Sequence, residues 1–255
     1  MHVPLETLAL IMLVTFAGYV IFGMTGFGAS PITIPVLAHF LPLPFVLALC
    51  SVLDLTTATL LGYRTRREAE KRELLALLPF TLAGVALGVT LLVNLPREAT
   101  LAGLGLFVCG YALYAASRRP FARTLSRAWA APLGLAGGLF GALFGVGGPP
   151  YVVYVTGRVP KPAAQRATIV LMVIVSVGLR VIAFATAGLF AARGLAMAAA
   201  ALLPVAWLGL WVGHRIHLGA PPGVLARIVA VVLFVSGASL LYRSLGGIGL
   251  PAAPV

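Results

Sequence analysis

The sequence predicts an all-α integral membrane protein assembled from two inverted repeats. Three observations carry that expectation. Of the 255 residues, 61% are hydrophobic and only 9% are charged, with a mean hydropathy of +1.07. A soluble domain is about a quarter charged, so this chain has too little polar surface to cover itself in water. Apolar runs recur along its length, most of them near the roughly 20 residues that a bilayer-crossing helix needs. Two of them are interrupted by the same kind of Gly/Pro breaker, "GMTGFGASP" at 23–31 and "GALFGVGGPP" at 141–150.

The elements follow in order. The first run, 5–23, has no Lys or Arg before it and no clean small-x-small cleavage site after it, so it reads as a retained span. After the first breaker the run 32–41 is too short to cross, and full runs follow at 45–62, 74–94 and 99–116. The second half repeats that order: 129–144, a short run at 150–156, then 165–190, 195–212 and 224–243. About eight full spans and two half-length helices result. The expected organisation is one membrane domain, with an N-terminal repeat 1–116, a cytoplasmic linker 117–128, a C-terminal repeat 129–243 and a loosely ordered tail 244–255.

A shift of 119 residues lays Ala17, Gly18, Gly26, Gly28 and Pro31 on Ala136, Gly137, Gly145, Gly147 and Pro150. That is the layout of a two-repeat transporter. Loop charge chooses the direction of the repeats, because cytoplasmic loops are rich in Lys and Arg. If every run crosses at least partway and the N-terminus lies outside, loops 64–73, 117–128, 157–166 and 213–227 face the cytoplasm and hold fourteen of the 18 Lys and Arg. Treating the short runs as re-entrant gives a weaker bias, 11 inside against six outside. The first arrangement has an odd number of segments per half, so the halves are inverted and both termini are periplasmic.

The breakers carry the chemistry. Non-helical backbone at membrane depth is tolerated where protein buries it or water reaches it. A restarted helix presents unpaired N–H groups and the positive end of its dipole, which favour an anion. In the first breaker Gly26, Gly28, Ala29 and Ser30 precede Pro31, which suits a first helical turn. In the second, Gly145, Gly147 and Gly148 precede Pro149 and Pro150. Inverted repeats would bring both helix starts to one midplane anion site. The ladder Gly137, Gly141, Gly145 is assigned mainly to helix packing and would also allow a homodimer.

A Gly-x-Gly-x-x-Pro breaker early in each half of a small two-repeat membrane protein resembles the TauE/SafE family. Its members are sulfite and organosulfonate exporters within the toluene sulfonate uptake permease family. The likeness runs from Leu8 to Tyr242. The stretch "AAQRATIVLMVIVSVG" at 163–178 resembles an Arg-Ala-Thr-Ser pattern of that family, with Ile169 in place of Ser. The resemblance implies export of sulfite, organosulfonates or related anions across the inner membrane.

Two ionisable residues lie inside spans. Asp54 sits at the centre of the third run and Arg180 within the eighth. Such a charge costs about 2.5–3.5 kcal/mol on insertion scales, so each should face protein or water. Arg180 is read as a substrate ligand, since a guanidinium fork matches an oxyanion. Asp54 is a candidate proton or gating group, and a structural Asp54–Arg180 pair is the competing reading. Arg166 is a candidate for the cytoplasmic mouth or a positive-inside anchor. Trp129, Trp207 and Trp211 are expected near span ends.

The other features exclude alternatives. The net charge of +12 lies in loops, with no polar domain to host nucleic acid. Cys50 and Cys109 have no metal or redox spacing, and no His set has zincin spacing, so no metal and no cofactor are expected. No nucleophile has a histidine placed to activate it, so an enzyme is disfavoured. Efflux of an anion from a negative interior runs downhill by about 2.3 kcal/mol per charge per 100 mV, which favours export or uniport. An anion channel and a proton-coupled uptake permease remain the alternatives.

Overall fold

The structure, a computed structural model, describes residues 5–25, 28–116, 125–216, 234–235 and 237–242. Gly26, most of the expected linker, the start of the tenth run and the tail fall outside these residues.

Long apolar runs give long helices: α1 (Leu5–Thr25), α3 (Leu43–Thr65), α4 (Lys71–Asn94), α5 (Arg97–Ala116), α8 (Pro162–Thr186) and α9 (Leu195–Ile216). Five of them, all but α5, are long and apolar enough to cross a membrane. The breakers give short helices. α2 (Ser30–Leu37) has 8 residues and α7 (Gly148–Arg158) has 11. At 1.5 Å per residue these span about 12 and 16 Å, roughly half of a hydrocarbon core. α6 (Ala130–Phe144) has 15 residues, shorter than the full span expected of it. Residues 234–235 and 237–242 are helical, within the expected last span.

Glycine makes both breaks possible. α6 ends at Gly145, whose φ of 71° is left-handed, and the turn closes with Gly145 N–H donating to the Gly141 carbonyl at 3.0 Å. Before α2 the left-handed residue is Gly28, with φ of 115°. The two turns are therefore not register-equivalent, since the 119-residue shift pairs Gly28 with Gly147, whose φ is −82°. Each half-helix opens with proline in its first turn, where no N–H is missed.

The pairing of helices repeats between the halves. α4 packs on α6 and α8, while α9 packs on α1 and α3. The close approaches match residue by residue. A Cβ on Gly88 would stand 2.7 Å from the Leu139 carbonyl, and Gly84 meets the Leu135 carbonyl. On the other side a Cβ on Gly209 would stand 2.7 Å from the Phe16 carbonyl, and Gly213 meets the Val20 carbonyl. Leu135 and Leu139 are the 119-residue equivalents of Phe16 and Val20. Both pairs ascend together, so α4 runs parallel to α6 and α1 runs parallel to α9.

The central pair behaves differently. Asp54 of α3 bonds Arg180 of α8, while Gly62 lies against Val170 and Ile174, so α3 and α8 are antiparallel. Re-entrant short segments would make them parallel, and would put 157–166 on the opposite face from 64–73. Instead these segments meet. Tyr154 Oη donates to Glu73 Oε2 at 2.5 Å, and Arg158 Nη2 pairs with Glu73 Oε1 at 2.9 Å. Leu125 N–H donates to the Gly157 carbonyl at 2.9 Å, and Arg127 Nη2 to the Arg72 carbonyl at 3.0 Å. Three of the four expected cytoplasmic loops thus share one end of the molecule.

Apolar side chains cover the exterior, among them Leu106 at 68% exposure and Met197 at 76%. Buried inside are Asp54, Thr57, Thr81, Ser176 and Arg180. A water-soluble protein would hide the first set and show the second. Two expectations need correction. Trp207 lies mid-way along α9 rather than near its end. The Gly137–Gly141–Gly145 ladder is buried within the chain, so it offers no face to a second copy.

Candidate functional site

The two breakers converge, with α3 and α8, on one small cavity. It is lined by Gly28, Ser30 and Pro31 from the first breaker, by Gly145, Gly147 and Gly148 from the second, and by Asp54 and Arg180. Its volume is about 30 Å³, room for one or two waters and too little for a polyatomic anion.

Among the described residues lining the cavity, Arg180 is the only charged donor. It is 2% exposed, held by its place on the inward face of α8. Its Nη2 pairs with Asp54 Oδ2 at 3.1 Å, and its Nη1 donates to the Gly141 carbonyl at 2.8 Å. The Arg180 Nε–H is buried without a partner. An orphaned buried donor costs about 1–3 kcal/mol, so a guanidinium with spare N–H groups favours any acceptor that enters.

Asp54 is 3% exposed and fully engaged. Tyr19 Oη of α1 donates to its Oδ1 at 2.8 Å, and Ser30 Oγ donates to its Oδ2 beside Arg180. Ser30 is the first residue of α2, so the carboxylate lies at the positive end of that half-helix. Tyr151, one residue past Pro150, bonds Ser176 of α8, with 3.1 Å between their hydroxyl oxygens.

Most of the residues expected from sequence meet here: Gly28, Ser30, Pro31, Asp54, Gly145, Gly147, Gly148 and Arg180. Others stand aside. Ala29 is the fully buried cap of α2, while Pro149 and Pro150 form the first turn of α7 without lining the cavity. Arg166 is fourteen residues before Arg180 on α8, about 21 Å along the axis. It sits towards the end where the basic loops gather. The Asp54–Arg180 pair exists, and it is part of the cavity wall. Sequence reasoning missed Gly141, Tyr19, Tyr151 and Ser176. A signal for Ser176 was present: it lies one helical turn before Arg180, on the same face.

The family described as sulfite exporter TauE/SafE matches residues 10–240. The chain belongs to the TauE/SafE family. It is a membrane transporter of that family and not an enzyme. One similar protein is the probable inner membrane transporter protein TsaS of Comamonas testosteroni, 27% identical over 192 residues, covering 74% of this chain and 80% of that one. No solved structure matches. The TauE/SafE match spans both breakers and both members of the buried pair, so the cavity lies wholly within the matched region.

Proposed function

We propose that this TauE/SafE chain exports small oxyanions of the sulfite and sulfonate type across the inner membrane, holding one at a time between the starts of α2 and α7. The observation that carries the reading is Arg180, buried in the cavity wall with its Nε–H unpartnered. A guanidinium fork matches an S–O edge, and the α2 and α7 N-termini add dipolar attraction for negative charge. Tyr151 and Ser176 offer neutral hydroxyl donors one helical turn from Arg180.

We further infer that residues 1–116 and 129–243 are inverted repeats that meet at the membrane midplane, with both termini periplasmic. The antiparallel α3–α8 pair and the matched glycine contacts support the inversion. The gathering of basic loops at one end supports the orientation. A cavity of only about 30 Å³ at this point favours a carrier over a wide open channel.

The test is flux in proteoliposomes with labelled sulfite, methanesulfonate and acetate. The expected result is saturable movement of the two sulfur oxyanions in preference to acetate, whose carboxylate has one oxygen fewer. Movement of none of the three at any potential would overturn the reading, and conductance without saturation would convert it to a channel.

A further inference from the structure

Resting on the reading above, we propose that Asp54 is the resident occupant of the anion site, and that it yields Arg180 to the substrate only by taking a proton, which makes transport an electroneutral co-movement of one proton with one monovalent anion. The argument begins with what Asp54 touches. Its carboxylate binds Arg180, the Ser30 hydroxyl at the first turn of α2, and the Tyr19 hydroxyl. These are the groups an oxyanion would use: a guanidinium, a helix start and neutral donors. The cavity of about 30 Å³ cannot hold a substrate anion while the pair is closed. Substrate and carboxylate therefore compete for one cation.

Charge then sets the stoichiometry. With the pair closed, carboxylate and guanidinium sum to zero. If a monoanion displaced an ionised Asp54, the buried site would hold a net negative charge, which desolvation penalises heavily. With Asp54 protonated, the neutral acid, the guanidinium and the bound anion again sum to zero. The proton enters from the side to which the site is open and binds a carboxylate oxygen. Arg180 then turns from Oδ2 to the anion, and on the far side the anion leaves, the proton returns to water and the pair reforms. Both forms that must cross the closed state are neutral.

Few other groups can interfere. Among the described residues, the titratable and charged groups facing Asp54 are Tyr19 from α1, Cys50 one turn earlier on α3 and Arg180 from α8. α2 presents the Ser30 hydroxyl. α9, which also packs on α3, carries titratable groups only in its last turn, at His214 and Arg215. The short turn Leu189–Ala191 against α3 has none. Electrical drive, expected from the sequence to favour export, drops out. A tenfold internal excess of anion instead balances one pH unit of opposing gradient.

The experiment uses the full chain in proteoliposomes with a pH-sensitive dye in the lumen and the potential clamped by potassium and valinomycin. The probe is methanesulfonate, a monoanion that brings no proton of its own, with labelled sulfite in parallel. The expected result is lumenal acidification at one proton per methanesulfonate, with the initial rate changing less than twofold between 0 and about −100 mV. One uncompensated charge would change the equilibrium ratio about fiftyfold over that range. Asp54→Asn should mimic the protonated acid and leave the empty site positive, so net flux should fall at least tenfold relative to label exchange. Potential-driven entry without protons in the unmodified protein overturns the inference while leaving the transport reading intact. So does an unchanged ratio of net flux to exchange in Asp54→Asn. Absence of exchange for either anion overturns the transport reading, and this inference with it.

Discussion

Replacing Arg180 by Gln separates the two jobs assigned to this side chain. The substitution leaves Asp54 with the Tyr19 and Ser30 hydroxyls but no countercharge, in a site 3% exposed. It also removes the Arg180 Nη1 bond to the Gly141 carbonyl at 2.8 Å, which the shorter Gln cannot reach, leaving that carbonyl with the Gly145 N–H alone. Removing one partner of a buried ion pair costs about 3–5 kcal/mol, and the lost hydrogen bond to a carbonyl that keeps another donor adds about 1 kcal/mol. The expected loss is therefore about 4–6 kcal/mol for Arg180→Gln. Adding Asp54→Asn removes the uncompensated charge, and the double variant should recover at least about 2 kcal/mol of that loss. Reversible unfolding in lipid micelles measures all three variants. Transport of sulfite should remain lost in the double variant although stability returns. Additive stability losses would refute the pairing, and recovered transport would refute Arg180 as the anion ligand.

Four further outcomes follow from the packing and the polar contacts. Gly88→Ala and Gly213→Ala should each destabilise by about 1–3 kcal/mol, since a Cβ at Gly88 would lie 2.7 Å from the Leu139 carbonyl and one at Gly213 would crowd the Val20 carbonyl. Gly178→Ala, with nothing within 4 Å of its Cβ, should gain up to about 1 kcal/mol in the same unfolding assay. Tyr151→Phe removes a cavity hydroxyl and should raise the half-saturating sulfite concentration about five- to tenfold, with little change in maximal rate. Arg158→Gln breaks a pair whose arginine side chain is 31% exposed, and should cost only about 1 kcal/mol, read as a small drop in thermal midpoint.

Much of the fold was legible because membrane burial writes itself into composition and because clustered Gly and Pro, unlike the single Pro79 of α4 or Pro204 of α9, interrupt a helical run. The half-helices α2 and α7 begin within about two residues of where the breakers put them, since Pro31 and Pro149 can stand only in a first turn. Loop charge carries the proposed direction of the halves. Three features were not legible. α6 is read as a full span from the run 129–144 by its place in the repeat, yet its helix has only 15 residues. Gly141 belongs to a four-residue ladder, the pattern of close packing, and nothing in that spacing tells that its carbonyl serves a cation. The Asp54–Arg180 pair, by contrast, was one of the two readings open for those residues, and the antiparallel register of α3 and α8 brings them together across 126 residues of sequence. Tyr19 and Tyr151 went unread because a tyrosine in a transmembrane run is as often apolar filling as a donor.

The central claim is that Arg180 holds the transported anion, and equilibrium binding of labelled sulfite to purified, folded protein tests it most directly. Arg180→Lys keeps the charge but loses the fork, and should weaken binding by about tenfold. Arg180→Gln, stabilised by Asp54→Asn so that folding is not in question, should weaken it by about a hundredfold or more, the loss of two charge-assisted hydrogen bonds. Binding within twofold of the unmodified protein in that double variant would contradict the account.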